Sequence, residues 1–163
     1  MNSTTRKARV RMLCCLAAVA VIVSLLTGCG EKKVISTGDF ETAALQRSYI
    51  VQDATDYFEA YDYIKTATIA APQDKSFQLE FYELNDSAVA KSFYDSNKNN
   101  FIMMKSGDCI ESDNSGSNFD VYTLEMFNKF MMIERVDNTV IYVNSTDSSN
   151  RSAIENFVKE LKY

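Results

Sequence analysis

Four carboxylates, Glu80, Glu83, Glu125 and Glu134, fall on or beside stretches with strand-like alternation, which makes them the first candidates for acid–base chemistry. Glycoside hydrolysis needs two carboxyls about 5–9.5 Å apart across a cleft, and nothing in the linear order pairs any two of these. The chain has no Trp to stack on a sugar ring and no His at all, which excludes Ser-His-Asp and Cys-His catalysis and every His-containing metal site. Cys109 lies in a polar stretch without a neighbouring base, so its thiol reads as incidental or as a point of oxidation or intermolecular pairing. The run Glu111-Ser112-Asp113-Asn114-Ser115-Gly116 partly imitates a calcium loop. It begins on Glu, however, and carries Tyr122 where the twelfth position needs a bidentate Glu. No catalytic residue, metal site or cofactor is assigned.

The segment 53–63 is the best binding candidate. Tyr57, Phe58, Tyr61 and Tyr63 are four rings within seven residues, interleaved with Asp53, Asp56, Glu59 and Asp62. Tyr buries a ring while keeping its hydroxyl wet, which suits an interface. With Tyr57 and Tyr61 on one side of a helical turn or two, they would cover the core. Phe58 and Tyr63, with Glu59 and Asp62 beside them, would then be left for a partner. The acids would steer a basic protein surface and repel anionic glycopolymers. The plainer reading is that all four rings cap one end of the core.

The elements that must position these residues follow from periodicity. Ser36 and Asp39 form a capping box before a first helix over 37–47. Tyr49 to Val51 is briefly β-prone. The stretch Thr66–Ala71 pairs with Ser76–Leu84 across a turn containing the single Pro, and in the second strand Phe77, Leu79 and Phe81 share one face while Gln78, Glu80 and Tyr82 share the other. Asn85 or Asp86 caps a helix with Val89, Ala90, Phe93, Tyr94 and Phe101 inward. Residues 105–118 read as a polar loop. Strands at 119–126, 130–136 and 139–144 follow, the last two joined at Asp137-Asn138, and a helix at 148–161 carries Ile154, Phe157, Val158 and Leu161. The expected fold is α+β: an antiparallel sheet of five to six strands with two to three helices on one face, laid out as two hairpin–helix units.

Charge separates the chain into two parts. Of 17 basic residues, Arg6, Lys7, Arg9 and Arg11 precede an apolar run from Met12 to Leu26, and no acid occurs before Glu31. A basic front and a 15-residue apolar run, shorter than the roughly 20 of a membrane span, are the marks of a secretory signal peptide. The alternative is an uncleaved signal anchor. From Cys29 onward 13 basic residues face 22 acids, which argues against nucleic acid as a partner. All 19 Tyr and Phe residues lie in this part, which excludes a disordered tail.

Leu26-Thr27-Gly28-Cys29 resembles the bacterial lipoprotein box. The resemblance implies removal of residues 1–28, diacylglyceryl modification of Cys29, a short tether over 29–36 and an extracytoplasmic domain over 37–163, held on the outer side of the cell membrane. With Cys14 and Cys15 in the leader and Cys29 lipidated, only Cys109 remains, so no intramolecular disulfide is expected. The stretches Gln78–Leu84 with Ser87-Ala88, and Arg135–Val143, also resemble small lipoproteins of Gram-positive bacteria. That likeness implies an anchored domain and carries over no activity. The leading expectation is therefore a non-enzymatic binding or accessory domain. A carboxylate-dependent cell-wall hydrolase and a purely structural envelope component are the competing classes.

Overall fold

A computed structural model describes residues 31–163; the expected leader and Cys29, the expected site of lipidation, lie outside the described residues. Local chemistry sets the first elements. Ser36 accepts from the Asp39 amide at 3.1 Å while Asp39 accepts from the Ser36 amide at 3.0 Å, and this reciprocal box starts helix α1, Thr37–Gln46. Strands β1 (Ile50–Asp53), β2 (Ile64–Ala71) and β3 (Leu79–Leu84) follow. The Asp86 side chain then caps helix α2, Ser87–Met103, by accepting from the Val89 amide at 2.8 Å. Strands β4 (Cys109–Ser115), β5 (Phe119–Met126), β6 (Lys129–Val136) and β7 (Thr139–Ser145) lead to helix α3, Arg151–Glu160.

The seven strands form one antiparallel sheet in the order β1-β2-β3-β7-β6-β5-β4. Both expected hairpins are present, β2 with β3 and β6 with β7, each followed by a helix. They meet back to back, with β3 beside β7 at the centre of the sheet. The α+β class holds, with one strand more than expected. That strand is β4, which occupies the region read as a loop. All seven of its residues are exposed, so it carries no hydrophobic alternation to reveal it. It is a polar edge, and charged edges keep sheets from pairing with one another. Glu111 and Asp113, the acids of the calcium-like run, are engaged by Lys105 and Lys98. Among the described residues no group of three metal-ligating side chains comes together.

The helices do not share one face; this expectation is corrected. Phe40 and Ala44 of α1 and Ile154, Phe157 and Val158 of α3 pack with Leu79, Phe81, Ile141 and Val143 on one face. On the other, Ala90, Tyr94 and Phe101 of α2 pack with Leu84, Leu124, Met131, Ile133 and Val140. The reason lies in the central strands. Phe130-Met131-Met132-Ile133 and Val140-Ile141-Tyr142-Val143 are apolar on both parities, so both faces must be covered. In β3, Tyr82 and Leu84 are buried opposite Leu79 and Phe81, so the parity expected to face solvent lies beneath α2.

The segment just before α1 is also part of the domain. Lys32 exchanges two backbone hydrogen bonds with the Asn118 side chain, at 3.0 and 2.9 Å, and its ammonium pairs with Glu134 and stands 4.9 Å from the centre of the Phe119 ring. Ile35 is buried among the α1–α3 core residues. Lys32 and Ile35 of the expected tether are thus docked on the domain.

Candidate functional site

Helix α2 covers only part of its face. Between it and the β1–β2 connection lies an open cleft of about 400 Å³. Its floor is the sheet: Glu80 and Tyr82 of β3 and Tyr142 of β7 point to the same side because residues alternate along a strand and Glu80 stands opposite Tyr142 in register. One wall is the connection, through Phe58, Tyr61, Tyr63 and Ile64. Phe93 and Asn97 of α2 form the other.

The connection is a series of three-residue turns. Thr55–Phe58 is a 3₁₀ helix, and hydrogen bonds from Tyr57 to Ala54, Tyr61 to Phe58 and Ile64 to Tyr61 (3.0, 2.8 and 3.0 Å) continue the same spacing. A period of three sets Phe58, Tyr61 and Ile64 along one side. Thr55 pins the turn to β2 by accepting from the Ala67 amide at 3.1 Å, and Asn85 holds the far end by bonding the carbonyls of Asp62 and Tyr63, each at 3.0 Å.

This spacing revises the expected division of labour among the rings. Phe58 and Tyr63 are half-buried and packed against the α2-side core, whereas Tyr57 and Tyr61 are 71% and 49% exposed. Phe58 meets the Tyr82 ring edge-on at 5.4 Å, and Tyr63 meets Tyr61 at 5.7 Å. The structure therefore brings two expected site residues, Phe58 and Tyr63, into the cleft walls with their backs supported. Glu59 and Asp62 are exposed on the same connection and do not line the cleft. Tyr57 hydrogen-bonds Gln52 at 3.0 Å, away from the lining.

Four further lining residues, Glu80, Tyr82, Phe93 and Tyr142, belong to elements that the sequence places correctly. Their convergence depends on the β3–β7 pairing, which the sequence does not give. Glu80 is the one charged side chain in the lining. One of its oxygens accepts from the Tyr82 hydroxyl and the other from Gln78 Nε2 at 2.9 Å. These two donors fix the carboxylate without neutralising it. Burial, followed by the proximity of Glu80, raises the phenol pKa of both Tyr82 and Tyr142, so both hydroxyls stay protonated at neutral pH, and that of Tyr82 donates to Glu80. Lys91 and Lys98 of α2 lie over the Tyr94 ring, and neither lines the cleft.

Comparison of the chain with protein-family models, curated proteins and solved structures gives no match.

Proposed function

We propose that the chain is the precursor of a lipid-anchored domain on the outer side of a bacterial membrane, and that the mature domain binds a partner at the aromatic cleft without converting it. The observation that carries the binding half of this reading is the lining itself: six rings around one carboxylate. A hydrolase of the two-carboxylate kind needs a second acid across the cleft, and the opposite wall supplies Phe93 and Asn97. The partner that suits the site is a protein surface carrying Lys or Arg. Asp53, Asp56, Glu59 and Asp62 are all exposed on or beside the connection and give the rim a negative field that steers such a surface.

The anchoring half rests on the resemblance of Leu26–Cys29 to the lipoprotein box. Because Lys32 is docked, a lipid at Cys29 would be joined to the domain by three residue steps, at most ~11 Å of chain. That would keep the Asn118 end of the sheet beside the bilayer.

Two measurements test the proposal. In growing cells supplied with an alkyne fatty acid, the wild-type chain should be labelled and Cys29→Ser should not; equal labelling would refute the anchor. In solution, a Lys-rich dodecapeptide should shift the amide resonances of residues 54–64, with an affinity that falls as salt rises. Replacing Asp56, Glu59 and Asp62 together by Asn should weaken it several-fold. Shifts confined to other regions would refute the cleft as the binding site.

A further inference from the structure

Two of the sheet's glutamates, Glu134 and Glu80, face opposite sides, and the protein treats them differently. Glu134, on the α1–α3 face, receives the Lys32 ammonium from the docked N-terminal segment. Glu80, on the α2 face, has neutral donors only: among the described residues no Lys or Arg pairs with it. A partly buried carboxylate without a counter-charge costs free energy that a cation can recover. The groups around it are also those that attract a cation. Ring faces carry negative quadrupole potential and attract a cation within about 6 Å of a ring centre, more strongly as water is excluded. Phe58, Tyr61, Tyr82, Phe93 and Tyr142 provide these rings around Glu80.

We infer that the cleft is a receptor for one organic cationic head, an ammonium or guanidinium group, which stands among these rings with Glu80 as its counter-ion. This deepens the proposal above and rests on its placing the site in the cleft. Anions are disfavoured by Glu80 and by the acidic rim. A neutral apolar group of the same shape would gain burial but would leave the carboxylate uncompensated. The volume of about 400 Å³ admits a head group with a short stem, such as the end of a Lys or Arg side chain or a small quaternary amine.

The test uses the full chain solubilised in detergent, with four probes followed by NMR of the tyrosine rings and by calorimetry. The probes are choline, Nα-acetyl-lysine methylamide, Nα-acetyl-arginine methylamide, and 3,3-dimethyl-1-butanol as the uncharged isostere of choline. At least one cation should bind in the millimolar range or tighter, at least tenfold better than the isostere. Glu80→Gln should remove most of that preference. Phe93→Leu keeps apolar volume on a helix surface and removes one ring; it should weaken the cation five- to tenfold and leave the isostere nearly unchanged. Tighter binding of the two amino-acid derivatives would identify a side chain of a protein partner as the source, and tighter binding of choline a small or lipid-borne amine. Equal affinity for the isostere and the cations, or cation binding indifferent to both substitutions, would overturn the inference. In the first case the cleft still stands as a binding site. Cation shifts located outside the cleft would overturn the site assignment as well, as would the absence of any response to the four probes.

Discussion

The two faces of the sheet are built from the same central strands and end differently. On one, α1 and α3 meet over Phe40, Phe81 and Phe157, with ring centres 5.0 and 5.7 Å apart, and the buried carboxylate Glu134 is closed in by Lys32. On the other, a single helix packs on β3, β5, β6 and β7 and leaves Glu80 at the floor of an aromatic cleft. A three-turn helix pair can seal one side of a sheet, whereas one helix of 17 residues, about 25 Å long, cannot seal the other. Under the proposed function, the first face supplies stability and the second recognition. Substitutions on the two should separate accordingly.

The largest effect belongs to the closed face. Phe157 is 1% exposed and touches Phe40 edge-on, Tyr49 and the Arg47 guanidinium. Phe157→Ala should cost about 3–5 kcal/mol through lost burial and the cavity left behind, read as a lower midpoint in urea unfolding. A midpoint within error of wild type would mean that this face is not where stability resides.

The second test uses the contrast between the glutamates. Burial raises the Glu134 pKa above its ordinary 4.5, and Lys32 only partly offsets this. Between the unfolded value and the raised folded one, the folded protein keeps a proton that the unfolded chain has released. This contribution is therefore fully present below about 4.5 and is lost as pH rises through the folded value. The stability of wild type minus that of Glu134→Gln should decline from pH 4 to pH 8, with ~1.4 kcal/mol for each tenfold difference in proton affinity. The exposed carboxylates held low by their hydrogen-bond partners, such as Asp39 and Asp53, act in the opposite direction in both proteins and cancel in the difference. A difference that stays flat would show that the carboxyl is ionised throughout, as a strong Lys32 pair would make it.

Much of this was legible in the sequence, and the omissions have physical causes. Helix α3 was legible because Ile154, Phe157 and Val158 recur at helical spacing on one side, and the capping box at Ser36 announced α1. Strand β4 was not, because an exposed edge strand has no face to bury and hence no alternation. Helix α2 was legible too, but its place on the second face was hidden in strands whose residues are apolar on both parities: an unbroken run marks a strand as covered twice without saying by what. The 53–63 segment was legible as a candidate site from composition, and Phe58, Tyr61 and Tyr63 do line the cleft. Which rings were free was not, since that depends on a three-residue turn period that the Tyr57–Tyr61 spacing does not reveal. Glu80 sat in plain view on the same parity as Tyr82. Only the pairing of β3 with β7, distant in sequence, brings Tyr142 to it.

Two smaller effects divide the cleft itself. Phe58 is half-buried against Tyr82, so Phe58→Ala should cost about 1–2 kcal/mol, part of what full burial of such a ring contributes. It should weaken binding at the same time. Because it disturbs both, it cannot by itself separate packing from recognition.

Tyr61 can. Its ring lines the cleft beside Phe58 and Tyr63 yet is about half exposed, and its backbone amide makes the turn bond to Phe58 whatever side chain it carries. Tyr61→Ala therefore leaves the three-residue turns in place and removes a wall that the core does not need. The expected change in unfolding free energy is within about 0.5 kcal/mol, as for surface positions in general. The expected loss in affinity for the Lys-rich peptide is three- to tenfold, because an exposed ring over a cation contributes about 0.5–1 kcal/mol directly and also shields the contact from water. Unchanged affinity alongside unchanged stability would make Tyr61 a bystander and shift the recognition surface toward the floor residues. A fall in stability larger than that of Phe58→Ala would mean that the ring is needed for packing, and the separation between a closed and an open face would fail at the position where it is drawn most finely.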